Sequence, residues 1–217
     1  MNPYYLTARV VFGTFFGTYN RWRVYHRERV PAEGGFILAS NHASFCDPPL
    51  IGTACLRDLS YLARASLFRF PVVGHIMREM YAIPVDRDGG GGAGLKAILN
   101  RLQAGGGIIL FPEGTRTRDG QLQPARSGIG LTVIKSSVPV VPVRIFGSFE
   151  TLSRKMAFPR PHQIVVKFGR PLAFVELRAE AKVCSKARLK AIYQQVADEL
   201  MAAIAKLEPC ADKETFP

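Results

Sequence analysis

Residues 35–57 read GFILASNHASFCDPPLIGTACLR. Positions 35–40 form a short apolar run of strand length. From Pro48 onward the spacing turns helical. Asp47 before Pro48 makes a good helix start, a carboxylate at the N-cap followed by a proline where a missing N–H costs nothing. A strand that passes through a polar loop directly into a helix is the opening of a strand–helix alternation.

Outward from this stretch the alternation continues. Apolar runs at 35–40, 59–63, 81–85, 107–111, 139–146 and 163–168 predict strands. Helical patterns at 48–57, 66–79, 93–104 and 128–136 fall between them. The expected fold is layered α/β, a mostly parallel or mixed sheet flanked by helices. No internal repeat or linker divides it. A long helical pattern at 176–207, with Leu189, Ile192, Tyr193, Val196, Leu200 and Ile204 in phase, predicts a core-packing helix. The glycine run at 89–92 lacks the Lys-Ser/Thr ending of a phosphate-binding loop and the spacing of a dinucleotide turn, so it reads as a flexible loop.

The chain has 217 residues, 47% hydrophobic and 21% charged, which excludes wholesale disorder and suits one domain, or one domain with a small appendage. A formal net charge of +12 stands beside a mean hydropathy of +0.06. Charge alone fits nucleic acid or an anionic membrane, but the apolar balance favours the membrane. Cys46, Cys55, Cys184 and Cys210 form no metal-ligand spacing and too sparse a set for a disulfide framework. His26, His42, His75 and His162 are scattered, so no metal is expected.

Residues 4–19 read YYLTARVVFGTFFGTY, and a basic run follows at Arg21, Arg23, His26, Arg27 and Arg29. A signal peptide would carry its positive charge first, and spanning a bilayer takes about 20 apolar residues. Helical spacing gathers Tyr5, Val11, Phe12, Phe15 and Phe16, with Arg9 and the later arginines alongside. The expectation is an amphipathic membrane-interface helix whose arginines meet lipid phosphates; the competing reading is an ordinary helix packed on the domain. The organisation expected is a membrane-associating segment at 1–29 and a main domain at 30–208.

Three stretches could carry chemistry. In Asn41-His42-Ala43-Ser44-Phe45-Cys46-Asp47-Pro48, His42 and Asp47 are five positions apart and meet only if the chain turns between them. A histidine held in one tautomer by a carboxylate is a general base; the alternative is a capping Asp47 and a structural His42. Ser44 and Cys46 are potential nucleophiles, but no G-x-S-x-G elbow exists. In Phe111-Pro112-Glu113-Gly114-Thr115-Arg116, at a strand end, Arg116 offers a fork for phosphate and Glu113 an acceptor; a surface Glu–Arg pair is the alternative. Ile83-Pro84-Val85-Asp86-Arg87 places another arginine at a strand end.

Together these stretches resemble the glycerolipid acyltransferase superfamily, the lysophosphatidate and glycerol-3-phosphate acyltransferases. Its Asn-His-x-x-x-x-Asp block is matched by Asn41, His42 and Asp47, and its Asp-Arg block by Val85-Asp86-Arg87. Its Phe-Pro-Glu-Gly-Thr-Arg block is matched without change by 111–116, and its apolar block by Val138-Pro139-Val140-Val141-Pro142-Val143. The match runs over about residues 30–150. Two departures exist. Ala63-Arg64 stands where Ala-Lys is common, and Ala125-Arg126-Ser127-Gly128 where Phe-Lys-x-Gly is common.

The resemblance implies O-acyl transfer to the free hydroxyl of a lysophospholipid, 1-acylglycerol-3-phosphate foremost, giving phosphatidate. The donor would be an acyl thioester, acyl-CoA or acyl-carrier protein, serving as co-substrate with no cofactor. His42 would be the general base and Asp47 its orienter. Arg87 and Arg116 would hold the acceptor phosphate, with Arg64 and Arg126 as helpers. Glu113, Gly114 and Thr115 would shape that pocket. The expected place of work is the cytoplasmic face of the inner membrane, as a peripheral or monotopic protein. Another lyso-acceptor, such as a lyso-aminolipid, is the alternative. A nucleic-acid-binding module is disfavoured because none of its motifs occurs.

Overall fold

The computed structural model of the chain describes residues 2–85 and 92–212. Helix α1 (Pro3–Tyr19) leads to strand β1 (Arg23–Tyr25), strand β2 (Phe36–Ser40), helix α2 (Asp47–Ala54) and strand β3 (Leu59–Arg64). Helix α3 (Pro71–Glu79), strand β4 (Ala82–Val85), helix α4 (Gly92–Gln103), strand β5 (Gly107–Leu110) and helix α5 (Ser127–Ser136) follow. Strand β6 (Val140–Phe146), helix α6 (Ser148–Leu152), strand β7 (Val165–Phe168), helix α7 (Val175–Glu180) and helix α8 (Lys186–Ala205) complete the order.

The strands form one sheet in the order β1-β7-β6-β2-β5-β3-β4. Strands β6, β2, β5, β3 and β4 are parallel, and β7 returns antiparallel to β6. The central strand β2 is buried on both faces, as a parallel strand covered by helices must be. Phe36 and Leu38 point into a core shared with α1 and α2, where Phe16, Leu50, Ile51 and Ile109 pack. Ile37 and Ala39 point the other way, into Ile98, Val133, Ile192, Val196 and Leu200 of α4, α5 and α8. The layered, mixed-sheet α/β expectation is what the chain adopts.

Several boundaries differ from the sequence pattern for physical reasons. The apolar run 66–79 is broken into a 3-10 turn (Ala65–Arg69) and α3, because the residue ahead of Pro71 is pushed out of helical geometry. The pattern at 176–207 divides into α7 and α8, the latter capped by Ser185 accepting from the Arg188 N–H. Strand β1 lies inside the basic run, only three residues long, and is fixed by pairing with β7.

Of the face of helix α1 expected to meet lipid, only part points outward. Tyr5 and Phe16 are buried in the protein, whereas Leu6, Val10 and Val11 are exposed. Arg9, expected at lipid phosphates, instead lies over the Tyr5 ring and donates to the carbonyls of Gly52 and Leu56 at the C-terminal end of α2, near Asp58. A cation there meets the negative end of the helix. Arg29 likewise donates to the Phe168 carbonyl and pairs with Asp212. Among the described residues no helix is long and apolar enough to cross a membrane.

One feature of the sheet positions the site. Strand β3 pairs with β5 only at Leu59 and Ser60, then follows β4 from Tyr61 to Arg64. Beyond Ser60 it diverges from β5 and opens a crevice at the carboxyl ends of the strands, where open α/β sheets bind ligands.

Candidate active site

The loop after β2 folds back on itself. Pro48 and Pro49 carry no N–H, so the start of α2 offers few donors to a capping carboxylate. The fully buried Asp47 turns back instead and accepts on Oδ2 from the Ala43 N–H at 2.6 Å and the Ser44 N–H at 2.7 Å. The same oxygen lies 2.9 Å from His42 Nδ1. A carboxylate only accepts, so Nδ1 carries the proton and Nε2 is the proton-accepting nitrogen. The imidazole also stacks on Phe111, with ring centroids 3.9 Å apart.

The backbone of His42 is gripped from the loop after β5. Its N–H donates to Glu113 Oε1 at 2.9 Å, and its carbonyl accepts from the Thr117 N–H at 2.8 Å. Glu113 Oε2 accepts from the Gln123 N–H at 3.3 Å. Burial pushes the Glu113 carboxyl up to about 7; the two N–H donors pull it down, and the Asp47 charge adds to the rise. Asn41 closes the third side. Its amide donates to the Ile145 carbonyl at 3.0 Å and accepts from the Ile145 N–H at 2.8 Å, tying the end of β2 to β6.

Neither neighbouring nucleophile is poised for attack. Ser44 is buried, donates to the Leu152 carbonyl at 2.7 Å and accepts from the Cys46 N–H. Burial raises the Cys46 thiol above its ordinary pKa, which keeps it protonated.

Two cavities meet at His42. The larger, about 600 Å³, lies between α1, α2, α3 and β3 and is mainly apolar, with Phe12, Leu62, Ile76 and Met80 in its wall. Arg64 and Arg116 line it as well. Arg116 stacks over Phe45, its guanidinium carbon 3.4 Å from the ring centroid. The smaller, about 300 Å³, occupies the crevice between β3 and β5 and is lined by Arg64, Val85, Phe111 and Gly114.

The expected site residues gather unevenly. His42, Asp47, Glu113, Gly114, Arg64 and Arg116 surround these two cavities or brace them. Gly114 has φ +69°, and a side chain there would collide with the Arg126 side chain, which places Arg126 beside the turn. Thr115 is exposed on the same turn. Arg87 lies outside the described residues. Thr117 lies beyond the sequence blocks, and the sequence assigns no role at the site to Phe111, to Asn41 or to Tyr5 and Phe12 of α1. Phe111 and Asn41 sit in the quoted blocks, but their contacts are long-range and leave no periodic signal. Among the described residues no group of three or more His, Cys, Asp or Glu side chains could hold a metal ion.

The arrangement is an imidazole held by a carboxylate where two cavities meet, with no activated nucleophile beside it. The chain belongs to the acyltransferase family, whose model matches residues 21–146. The 1-acyl-sn-glycerol-3-phosphate acyltransferase of Bacillus subtilis is 28% identical over 187 residues, covering 86% of this chain and 89% of that protein. A chloroplastic 1-acyl-sn-glycerol-3-phosphate acyltransferase of Brassica napus is 34% identical over 116 residues, covering 52% of this chain but only 33% of its own length. The fold matches that of the 1-acyl-sn-glycerophosphate acyltransferase PlsC from Thermotoga maritima, with a TM-score of 0.70 over 94% of this chain and 81% of that one at 23% identity.

Proposed function

We propose that this protein transfers a fatty acyl group from an acyl thioester to the free hydroxyl of 1-acylglycerol-3-phosphate, giving phosphatidate. The observation that carries this reading is the His42–Asp47 pair where two cavities meet, a mainly apolar one that Arg64 and Arg116 also line and a crevice that shares Arg64. An acyl chain suits the apolar wall of the larger cavity, and a phosphate suits the Arg64 and Arg116 guanidinium groups beside it.

His42 Nε2 accepts the proton of the acceptor hydroxyl as its oxygen attacks the thioester carbonyl. The tetrahedral intermediate collapses with cleavage of the C–S bond, and the imidazolium returns the proton to the leaving thiolate. Asp47 stabilises the imidazolium while it exists. Arg116 and Arg64, with Arg87, hold the acceptor phosphate; Arg126 assists from beside Gly114, and Glu113 and Thr115 shape the turn. A positioned base contributes roughly 10²–10⁴-fold, so holding the two substrates together must supply much of the rest. Acyl-CoA or acyl-carrier protein serves as co-substrate and no further cofactor enters the scheme.

In this reading residues 30–208 carry the chemistry and 1–29 associate with an anionic membrane on the cytoplasmic face of the inner membrane. The exposed Leu6, Val10 and Val11 of α1 support that placement, as does the excess of basic residues. The test offers the purified protein a panel of lysophospholipids and lyso-aminolipids, each with acyl-CoA and with acyl-carrier protein, and identifies products by mass. Phosphatidate as the dominant product is expected. Preferential acylation of a lyso-acceptor lacking the phosphate monoester would overturn the headgroup assignment.

A further inference from the structure

The loop at 153–162, between α6 and β7, reads SRKMAFPRPH. Its Phe158 is 82% exposed, the most solvent-exposed aromatic residue among the described large hydrophobics. Around it Arg154, Lys155 and Arg160 are exposed, and residues 151–170 contain no acidic side chain. An aromatic side chain held in water, on a stretch of chain whose only charges are cations, is an unfavourable surface for a soluble contact and a good one for a phosphate-rich interface.

The loop is not a loose excursion. The Tyr19 hydroxyl donates to the Pro159 carbonyl at 3.0 Å. The buried Asn20 amide donates to the carbonyls of His162 at 3.0 Å and Arg160 at 3.4 Å. The Arg160 N–H donates to the Thr151 carbonyl at 2.7 Å. Both anchors, Tyr19 and Asn20, sit at the C-terminal end of α1, so the loop extends the surface of that helix. Exposed Arg21 and Arg23 follow immediately in the chain.

We propose that the loop at 153–162 is a second membrane-contacting element, with Phe158 entering the interfacial layer and Arg154, Lys155 and Arg160 binding anionic headgroups. The inference rests on the reading of α1 as lipid-facing. It goes further, in that the basic charge needed at the membrane comes in part from a loop about 140 positions away in sequence, clamped to the helix by its end residues. A lone aromatic side chain that protrudes, rather than lining a groove, favours a bilayer over an acidic protein partner.

The test is sedimentation of the full chain with phosphatidylcholine vesicles, with and without phosphatidylglycerol. Arg154→Glu with Arg160→Glu should lower partition onto the anionic vesicles at least about tenfold and weaken its salt dependence. Phe158→Ser should weaken binding several-fold on the anionic vesicles, and the conservative Phe158→Trp should retain it. In difference from wild type, the new tryptophan should shift its emission to the blue on adding vesicles. Wild-type binding by both loosening variants, or a tryptophan that stays in water while the protein binds, would overturn the proposal. So would variants that bind vesicles normally and lose only an acidic carrier protein. Binding is read without turnover: vesicle binding without acyl transfer would sink the proposed activity alone, and an active enzyme with indifferent loop variants would sink this inference alone.

Discussion

Asp47 and Glu113 are both buried, and both accept hydrogen bonds from the chain at 42–44, yet one holds the ring of His42 and the other its backbone. Asp47 acts from five positions away, Glu113 from 71. Asp47 therefore adjusts the chemistry of the imidazole directly. Glu113 fixes where the imidazole stands, together with the Thr117 N–H on the other side of the same residue. The loop after β2 carries the imidazole, and the loop after β5 supplies its support and part of the rim of the crevice between β3 and β5. A block that looks catalytic in sequence can thus be partly scaffold.

Mutation separates these roles by size and kind of effect. His42→Ala should lower the transfer rate by at least about 10³-fold with the fold retained, measured as product by mass spectrometry. Asp47→Asn should cost about 10²-fold or more in kcat, since it disturbs the tautomer and orientation of the ring, and should also lower the denaturation midpoint because two backbone N–H groups lose a charged acceptor. Arg116→Ala should act chiefly on the acceptor, raising its KM about tenfold while the donor KM stays near wild type. An unchanged acceptor KM would remove Arg116 from the phosphate.

Glu113→Gln should have the smallest effect on rate, a few-fold, and its signature lies in stability. Burial raises the carboxyl to about 7 in the folded protein, so the folded state keeps a proton that the unfolded chain releases. The stability linked to this group is present at low pH, below the ordinary carboxylate range, and is lost as pH rises through about 7. Urea midpoints followed from about pH 5 to about pH 8 should fall more steeply for wild type than for Glu113→Gln. Parallel curves would mean that Glu113 is not the titrating group.

Much of this was legible in the chain. Strands β2, β5 and β6 are continuous apolar runs because both faces are covered, and such runs are read without knowing what covers them. The turn that brings His42 to Asp47 was legible as a requirement; its cause, two prolines that leave the carboxylate free to fold back, needed coordinates. Other features had no sequence signal. Strand β1 is three residues of a basic run held by backbone pairing. Arg9 looked like a lipid contact, yet the carbonyls of α2 and Asp58 claimed it. Tyr5 and Phe12 belong to the side of α1 expected to meet lipid, and they line the cavity that receives it in our reading. Periodicity identified an amphipathic helix but not which apolar surface lay opposite its face.

The most direct test of the central claim is a double-mutant cycle on His42 and Asp47, measured as single-turnover acyl transfer to 1-acylglycerol-3-phosphate. If Asp47 works through the imidazole, His42→Ala with Asp47→Asn should be no slower than His42→Ala alone. If the two losses multiply, Asp47 acts independently of His42, and the base–orienter account is wrong.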